Sequence, residues 1–372
     1  MDKVGLAGMA AASALGRGTE AQLAGALAGA TAFTPVRRFD VRGHRVKQAA
    51  TLPDAGSLSD ELARAIEDAC AAADLSTVDR SGCALMLAVH AHPDAPRKPG
   101  GRGLTAATLA AELVTRAGLG AAARVYTSAC VSASSAVADA AALISTGRAE
   151  RIVVAAGYLV ESDQFALFDA GRTLATDGAV RPFSTGRSGF LLGDAVAAVV
   201  LESLAAIRKR GGVALARVVG WGRAGDAYHA VQPRPDGHGM ARAISSALHR
   251  AGISAGELGY LNAHGTGTPF SDAAEAAALH RALGPAVRAV PVSSTKATHG
   301  HTLEASGLIE LVITVLALRS GKLPVNAGFL AEDPACDLNL ILAAPRPIHA
   351  DHALTVNAAF GGANTALVVR TP

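Results

Sequence analysis

The chain has 372 residues, half of them hydrophobic and 17% charged, with a formal net charge of +3. That length implies about two domain-sized units. The charge is too small to argue for nucleic acid, and no apolar run approaches the ~18 residues that a membrane crossing needs.

The first sixteen residues hold a lysine, an apolar stretch and an AAASA patch, the ingredients of a signal peptide. Asp2 cancels Lys3, however, and glycines interrupt the apolar stretch, so Val4–Gly8 reads as a buried first strand. Ser57–Asp74 is a predicted helix. It has cap-type serines, early acids and apolar residues at Leu62, Ile66, Ala69, Cys70 and Ala73. Cys83–Val89 is a predicted buried strand, and Ala95–Gly103 a loop by composition. The run ARVY, then Cys130, then an alanine-rich helix makes a strand–turn–helix unit. Arg151–Gly157 and Ala195–Glu202 are predicted strands flanking a long loop from Ala170 to Phe183. The charged turn Ile207–Gly212 is the expected seam between two units, 1–206 and 207–372. The second unit alternates again: the strand VALARVVGWG, helix Gly239–Ala251, strand GYLNA, helix Ser271–Leu283, strand AVPVSS, helix Leu303–Leu318, and closing strands around LTVNA and TALVV. Such alternation indicates an α/β protein.

Cys70, Cys83, Cys130 and Cys336 form no C-x-x-C, so neither a disulfide framework nor a structural zinc site is indicated. A reducing cytoplasm is the expected location. Cys70 and Cys83 fall on core faces. Cys130 differs: at a strand-to-helix junction it meets unpaired N–H groups and the positive end of a helix dipole, which should lower its pKa. The same N–H groups can stabilise an oxyanion. Three more stretches carry chemistry. In NAHGTGTP, His264 follows a strand and precedes a glycine-rich turn. SSTKATHGHTLEASG places Lys296, His299 and His301 on one turn, and NAAFGGAN lets backbone approach something closely.

Taken together and in this order, these stretches resemble the elongation-type β-ketoacyl-ACP synthases, which have the thiolase fold. The resemblance covers nearly the whole chain, including LLGDA (Leu191–Ala195), DAYH (Asp226–His229), HGTGTPFSDAAE (His264–Glu275), STKATHGH (Ser294–His301), CDLN (Cys336–Asn339) and FGGAN (Phe360–Asn364). It implies two similar α/β halves in a five-layered αβαβα arrangement. It implies Cys130 as the acyl-accepting nucleophile and His264 and His301 as the paired histidines. Lys296 would order the site with Glu275, or Asp272, as its partner. Phe168 and Phe360 would line the acyl pocket, Ala358 would stand in its gating loop, and the N–H groups of Cys130 and Phe360 would form an oxyanion hole. The implied reaction is decarboxylative condensation of a Cys130-bound acyl chain with a malonyl thioester. No metal or redox cofactor enters, since the acyl groups ride on carrier-protein phosphopantetheine. The implied partners are an acyl carrier protein and, in a dimer, a second copy or a related ketosynthase-like subunit. Arg37, Arg38, Arg42, Arg45 and Lys47, and separately Arg97, Lys98 and Arg102, are basic clusters that could meet an acidic carrier or be solvated faces.

Other readings use the same residues. His299, His301 and Glu304 form an H-x-H-x-x-E string of metal-ligand types, which Lys296 opposes. A biosynthetic thiolase needs a second reactive cysteine, and the surroundings of Cys336 do not match. An initiating synthase pairs Cys and His with Asn, where this chain offers His301. A non-catalytic chain-length partner usually lacks the cysteine. Glu304 stands where the family usually has glycine, Ala358 where it usually has phenylalanine, and the region Pro99–Ala121 is shortened. These departures suggest a polyketide or specialised fatty-acid enzyme, with cyclisation or acyl transfer on a carrier-bound chain as the alternative.

Overall fold

A computed structural model describes residues 3–92, 105–348 and 350–372. The strands that matter here are β1 (Val4–Ser13), β2 (Ala84–Ala88), β3 (Ala121–Tyr126), β4 (Arg151–Tyr158), β5 (Ala195–Ser203), β6 (Ala216–Gly225), β7 (Leu258–Asn262), β8 (Val292–Ser293), β9 (His352–Ala359) and β10 (Ala363–Arg370). The helices that matter here are α1 (Leu58–Ala72), α2 (Ala106–Ala117), α3 (Ser132–Ser145), α4 (Ser162–Ala170), α5 (His238–Ala251), α6 (Pro269–Leu283) and α7 (Ser306–Ser320).

The strands of the first half lie in the order β3-β2-β4-β5-β1, and those of the second in the order β8-β7-β9-β10-β6. The pairings repeat as well. In each half the first two junctions are parallel and the last two antiparallel. A short antiparallel contact, Gly5 with Arg217 and Leu6 with Ala216, joins the two sheets edge to edge. Two copies of one topology therefore face each other across a shared centre. Sequence alternation only hints at this duplication.

The centre is built by α3 and α7, which pack on each other and on strands of both halves. Both helices are apolar almost all round, as a helix covered on every side must be. Their close approach needs Gly307, where a Cβ would meet the Ser134 backbone nitrogen at 2.7 Å. Outside, α1 packs on β1, β4 and β5, α2 on β3, and α5 on β6 and β10 with α6 beside it. Three buried hydrophobic clusters fill the spaces: one around the central helices, one under α1 and α2, and one under α5 and α6. The result is the five-layered α/β thiolase-type arrangement.

Local chemistry sets some helix ends. Ser57 caps α1 by accepting the Asp60 N–H at 3.1 Å. The expected charged turn Ile207–Gly212 is helical as far as Lys209, in the helix Leu204–Lys209, and two further expectations change. The predicted strand AVPVSS shrinks to Val292–Ser293, because Gly284–Arg288 winds into a 3₁₀ turn just ahead of Pro291. The predicted helix at Leu303 begins as a separate 3₁₀ turn, Leu303–Ala305, with Leu303 at φ 42°. That offset matters, because the turn carries Glu304 to the site.

Candidate active site

The four chemistry-bearing stretches converge from both halves. Cys130 lies in a 3₁₀ turn, Ala129–Val131, between β3 and α3. Ala129 is forced to φ 51°, so the chain bends sharply just before the thiol. A non-glycine residue there costs roughly 1–3 kcal/mol, and such strain clusters at functional sites. The Cys130 side chain is half-buried and lines a cavity of ≈ 150 Å³. His264, from the turn after β7, and His301, from the loop before α7, line the same cavity. Phe168, Phe190, Ala358 and Phe360 complete its apolar wall.

The two imidazoles stand edge to face, with centroids 5.5 Å apart and planes at 85°. A file of rings continues from them: Phe190 is 5.1 Å from His301, Phe168 is 5.3 Å from Phe190, and Phe360 is 6.2 Å from Phe168. Burial, then the Lys296 cation, holds both histidines well below the usual imidazole range, so both are neutral at pH 7. The tautomer of His301 follows from its neighbours. The Leu303 N–H donates to its Nδ1 at 3.2 Å, so Nδ1 is an acceptor and the ring proton sits on Nε2. The loop bearing His301 is pinned to the chain near Gly193. There the Gly193 N–H donates to the His301 carbonyl at 3.0 Å, and a Cβ on Gly193 would strike the His299 carbonyl oxygen.

Lys296 corrects an expectation. Its ammonium is fully buried and donates to Glu310 Oε1, not to Glu275 or Asp272. Glu310 Oε2 accepts from Asn357 Nδ2 at 2.6 Å. Both oxygens of Glu275 are already taken, one by the His264 N–H and one by the Gly265 N–H, each at 2.7 Å. Asp272 accepts from the Phe183 N–H at 2.8 Å and the Gly267 N–H at 3.1 Å. The two acids therefore shape the turn that presents His264. Burial pushes Asp272 up to about 6 and Glu275 up to about 8, against those N–H groups. Glu310 and Asn357 are the site-supporting residues that sequence reasoning missed. The signal was available: Glu310 is an acid inside the apolar run LIELVITVLAL, and a buried charge needs a partner.

The thiol corrects a second expectation. Burial, with the Glu304 carboxylate adding to it, pushes Cys130 up to about 12, and Lys296 opposes this only partly. The helix-dipole reading leaves out desolvation, which raises a thiol's pKa. Cys130 is thus a protonated thiol at neutral pH. Iodoacetamide alkylation of Cys130, followed by intact mass, should speed up about tenfold per pH unit from 7 to 10, without a plateau. A plateau near neutrality would contradict this environment.

A family model described as "Beta-ketoacyl synthase, N-terminal domain" matches residues 52–206, and one described as "Beta-ketoacyl synthase, C-terminal domain" matches residues 215–330. The chain belongs to the β-ketoacyl synthase family. It is 34% identical over 247 residues to "3-oxoacyl-[acyl-carrier-protein] synthase 2" of Staphylococcus aureus, covering 65% of this chain and 61% of that protein. It is 39% identical over 254 residues to the "Tetracenomycin polyketide synthase ketoacyl synthase alpha subunit" of Streptomyces glaucescens, covering 67% of this chain and 60% of that one. The matched part thus spans about three fifths of these relatives' own length. Among solved structures, a β-ketoacyl synthase from Burkholderia phymatum STM815 superposes with a TM-score of 0.92 at 28% identity, covering 100% of both chains. The ishigamide ketosynthase/chain length factor superposes at 0.91 with 26% identity, covering 100% of this chain and 99% of that one.

The remaining β-ketoacyl synthase motifs have structural work in this chain. Asp194 of LLGDA accepts from the Leu52 N–H at 2.8 Å and pairs with Arg38 at 2.7 Å. Asp226 of DAYH accepts from Asn364 Nδ2 at 2.8 Å, tying down the FGGAN turn beside the cavity. Asp337 of CDLN pairs with Arg288 at 2.6 Å. Part of the first basic cluster is engaged: Arg38 pairs with Asp194 and Arg42 with Asp40, the Arg45 guanidinium donates to the Asp169 carbonyl at 3.3 Å, and Lys47 donates to backbone carbonyls. The second cluster, Arg97, Lys98 and Arg102, lies outside the described residues, as does part of the shortened Pro99–Ala121 region. The H-x-H-x-x-E string does not converge. His299 Nε2 meets Thr295 Oγ1, His301 Nδ1 receives Leu303, and Glu304 turns to His90. Among the described residues, no helix is long and apolar enough to cross a membrane, and no group of three or more metal-ligating side chains assembles.

Proposed function

We propose that this chain catalyses decarboxylative condensation of a Cys130-bound acyl group with a malonyl thioester. The observation that carries the reading is one cavity holding a reachable thiol and two neutral imidazoles. Cys130 Sγ attacks the carbonyl of an acyl thioester. The carrier sulfur leaves with the proton that the thiol gives up, and a neutral imidazole can pass that proton on. In the second step the malonyl thioester loses CO₂, and the freed electron pair moves onto its thioester oxygen. His301 Nε2–H donates to that oxygen, and His264 supplies the second N–H. Each pre-oriented donor is worth roughly 3 kcal/mol. The enolate carbon then attacks the acyl–Cys130 carbonyl, forming the new C–C bond and releasing the sulfur. The oxygen of that carbonyl takes its stabilisation from the Cys130 and Phe360 N–H groups. Burial, with Lys296 adding to it, keeps the histidines neutral. The reaction uses no metal or redox cofactor.

The acyl and malonyl groups arrive on an acyl carrier protein, the substrate class in the printed name of the Staphylococcus relative. Exposed Phe270 and Val231 stand at the cavity mouth and give the carrier an apolar landing. β3 ends its sheet, so a second copy or a related subunit can continue the sheet there. The ishigamide neighbour is itself a ketosynthase/chain length factor. Described free thiols fit a reducing cytoplasm. The likeness to a polyketide ketoacyl synthase subunit points to polyketide or specialised fatty-acid assembly. Incubation with acyl- and malonyl-carrier proteins should yield one CO₂ per product, lengthened by two carbons. Acyl loss without CO₂ release would favour cyclisation or plain acyl transfer.

A further inference from the structure

One buried carboxylate beside the thiol has no part in the condensation. The 3₁₀ turn Leu303–Ala305 packs against the turn that carries Cys130 and against β4. Leu303 lines the catalytic cavity, and Glu304 does not. The Glu304 side chain is 5% exposed. Its Oε1 lies 3.3 Å from His90 Nδ1, and its Oε2 has no hydrogen-bond partner among the described residues. His90, just past β2, has a side chain 59% exposed.

A carboxylate so buried is little screened and disfavours a second negative charge next to it. Ionisation of Cys130 would create one. Burial first and Glu304 second push that thiol up, with Lys296 opposing. The other charged groups on the elements packed against this turn are engaged. Glu310 of α7 is held by Lys296 and Asn357. Arg151 of β4 pairs with Glu202 of β5, and Asp194, just ahead of β5, pairs with Arg38. Asp139 of α3 pairs with Arg124 and Arg223. Tyr158, at the end of β4, is a neutral phenol, held well above its usual range by burial with Glu304 adding to it. His90 is different. The Glu304 hydrogen bond raises its imidazole, burial opposes this, and Glu161 adds a smaller push. A protonated His90 therefore offsets part of the Glu304 charge, and a neutral one does not.

We propose that Glu304 is a positioning residue that acts through Cys130: with His90 as its counter-ion, it holds the unloaded sulfur in the thiol form and sets how fast Cys130 takes up an acyl group. This rests on Cys130 being the acyl acceptor. Uptake breaks the S–H bond, forms the S–C bond and returns the proton to the departing carrier sulfur. Thiol and thioester are both neutral, so Glu304 penalises only the thiolate between them. It slows loading and reverse transfer alike and leaves their balance unchanged.

Two rates at Cys130 test this, both followed by intact mass: iodoacetamide alkylation from about pH 6 to 10, which spans the titration of an imidazole, and octanoyl uptake from an acyl carrier protein. Glu304→Gln keeps the size and removes the charge. A thiol pKa lower by about one unit gives about ten times more thiolate, and its weaker nucleophilicity takes back about half of that gain on a logarithmic scale. Both rates should therefore rise about threefold near pH 7. Glu304→Asp keeps the charge and should follow the wild type. His90→Gln, at a half-exposed position, keeps a donor for Glu304 and loses the positive charge. It should be alkylated more slowly than the wild type in mild acid, with the gap closing as pH rises. Wild-type alkylation rates in Glu304→Gln, or in His90→Gln at every pH, would overturn the proposal. Faster alkylation of Glu304→Gln with unchanged octanoyl uptake would overturn it too. Octanoyl uptake by neither wild type nor Glu304→Gln would overturn the acyl-acceptor reading itself, and the uptake claim with it.

Discussion

Replacing Cys130 with alanine is expected to leave a folded protein that takes up no acyl group. The residue is half-buried in a turn, and threonine, serine, alanine and valine surround it in the sequence. Loss of one sulfur there should cost below about 1 kcal/mol. The chemical loss is far larger, because no neighbouring group can replace the nucleophile. Cys70, Cys83 and Cys336 are buried elsewhere, and Cys83 and Cys336 are pushed up to about 12. Removing a nucleophile that acts as one unit with its partners lowers kcat on the order of 10⁶-fold. Intact mass with an acyl carrier protein should therefore show the acyl adduct on wild type and none on Cys130→Ala. The two imidazoles remain in that variant, so slow CO₂ release from malonyl-carrier, uncoupled from chain growth, should persist. An adduct on Cys130→Ala would place the acyl group on another residue and end the proposed mechanism. Cys130→Ser separates the roles further, because a hydroxyl keeps the shape but is a much weaker nucleophile.

The site was legible in sequence where short motifs set local geometry. The strand–turn–helix around Cys130, the glycine turn after His264 and the paired glycines after Phe360 each point a group at one place. Their meeting across two halves came from motif order, since no periodicity reports which turns face each other. What sequence did not reveal was burial and long-range pairing. The pKa of Cys130 depends on desolvation and on Glu304, and both are tertiary facts. The partner of Lys296 was sought on the nearest acidic helix face, yet both acids there serve backbone N–H groups. The basic cluster from Arg37 to Lys47 reads as a surface, but Asp194 arrives from more than a hundred residues away to pair with Arg38. The matched strand orders of the halves need no sequence likeness, because a repeated topology asks only for strands and crossovers of the right kind.

Lys296→Met should be the most destabilising substitution in the site. Lys296 and Glu310 are both fully buried, and Asn357 satisfies the carboxylate's second oxygen. Removing one member of such a pair leaves an uncompensated charge in the core and costs about 3–5 kcal/mol. Much of that loss should be recovered in Lys296→Met/Glu310→Leu, since an apolar pair of similar volume replaces a buried ion pair at little or no net cost. Urea titration of the wild type, both single variants and the double variant measures this directly. Activity should not follow stability. Lys296 is the charge that, after burial, holds His264 and His301 low. Without it both imidazole pKa values move up toward the ordinary range. A group whose folded pKa lies below its unfolded one contributes stability above the unfolded pKa and loses it as pH falls. The histidine contribution is therefore present at neutral pH and fades only in acid. In the double variant, the pH at which decarboxylation of malonyl-carrier fails in acid should shift upward, even with stability restored. A double variant that regains stability and keeps the wild-type acid limb would show that Lys296 only fills space. A shifted limb in a stable protein would identify it as the cation that keeps two imidazoles ready to donate.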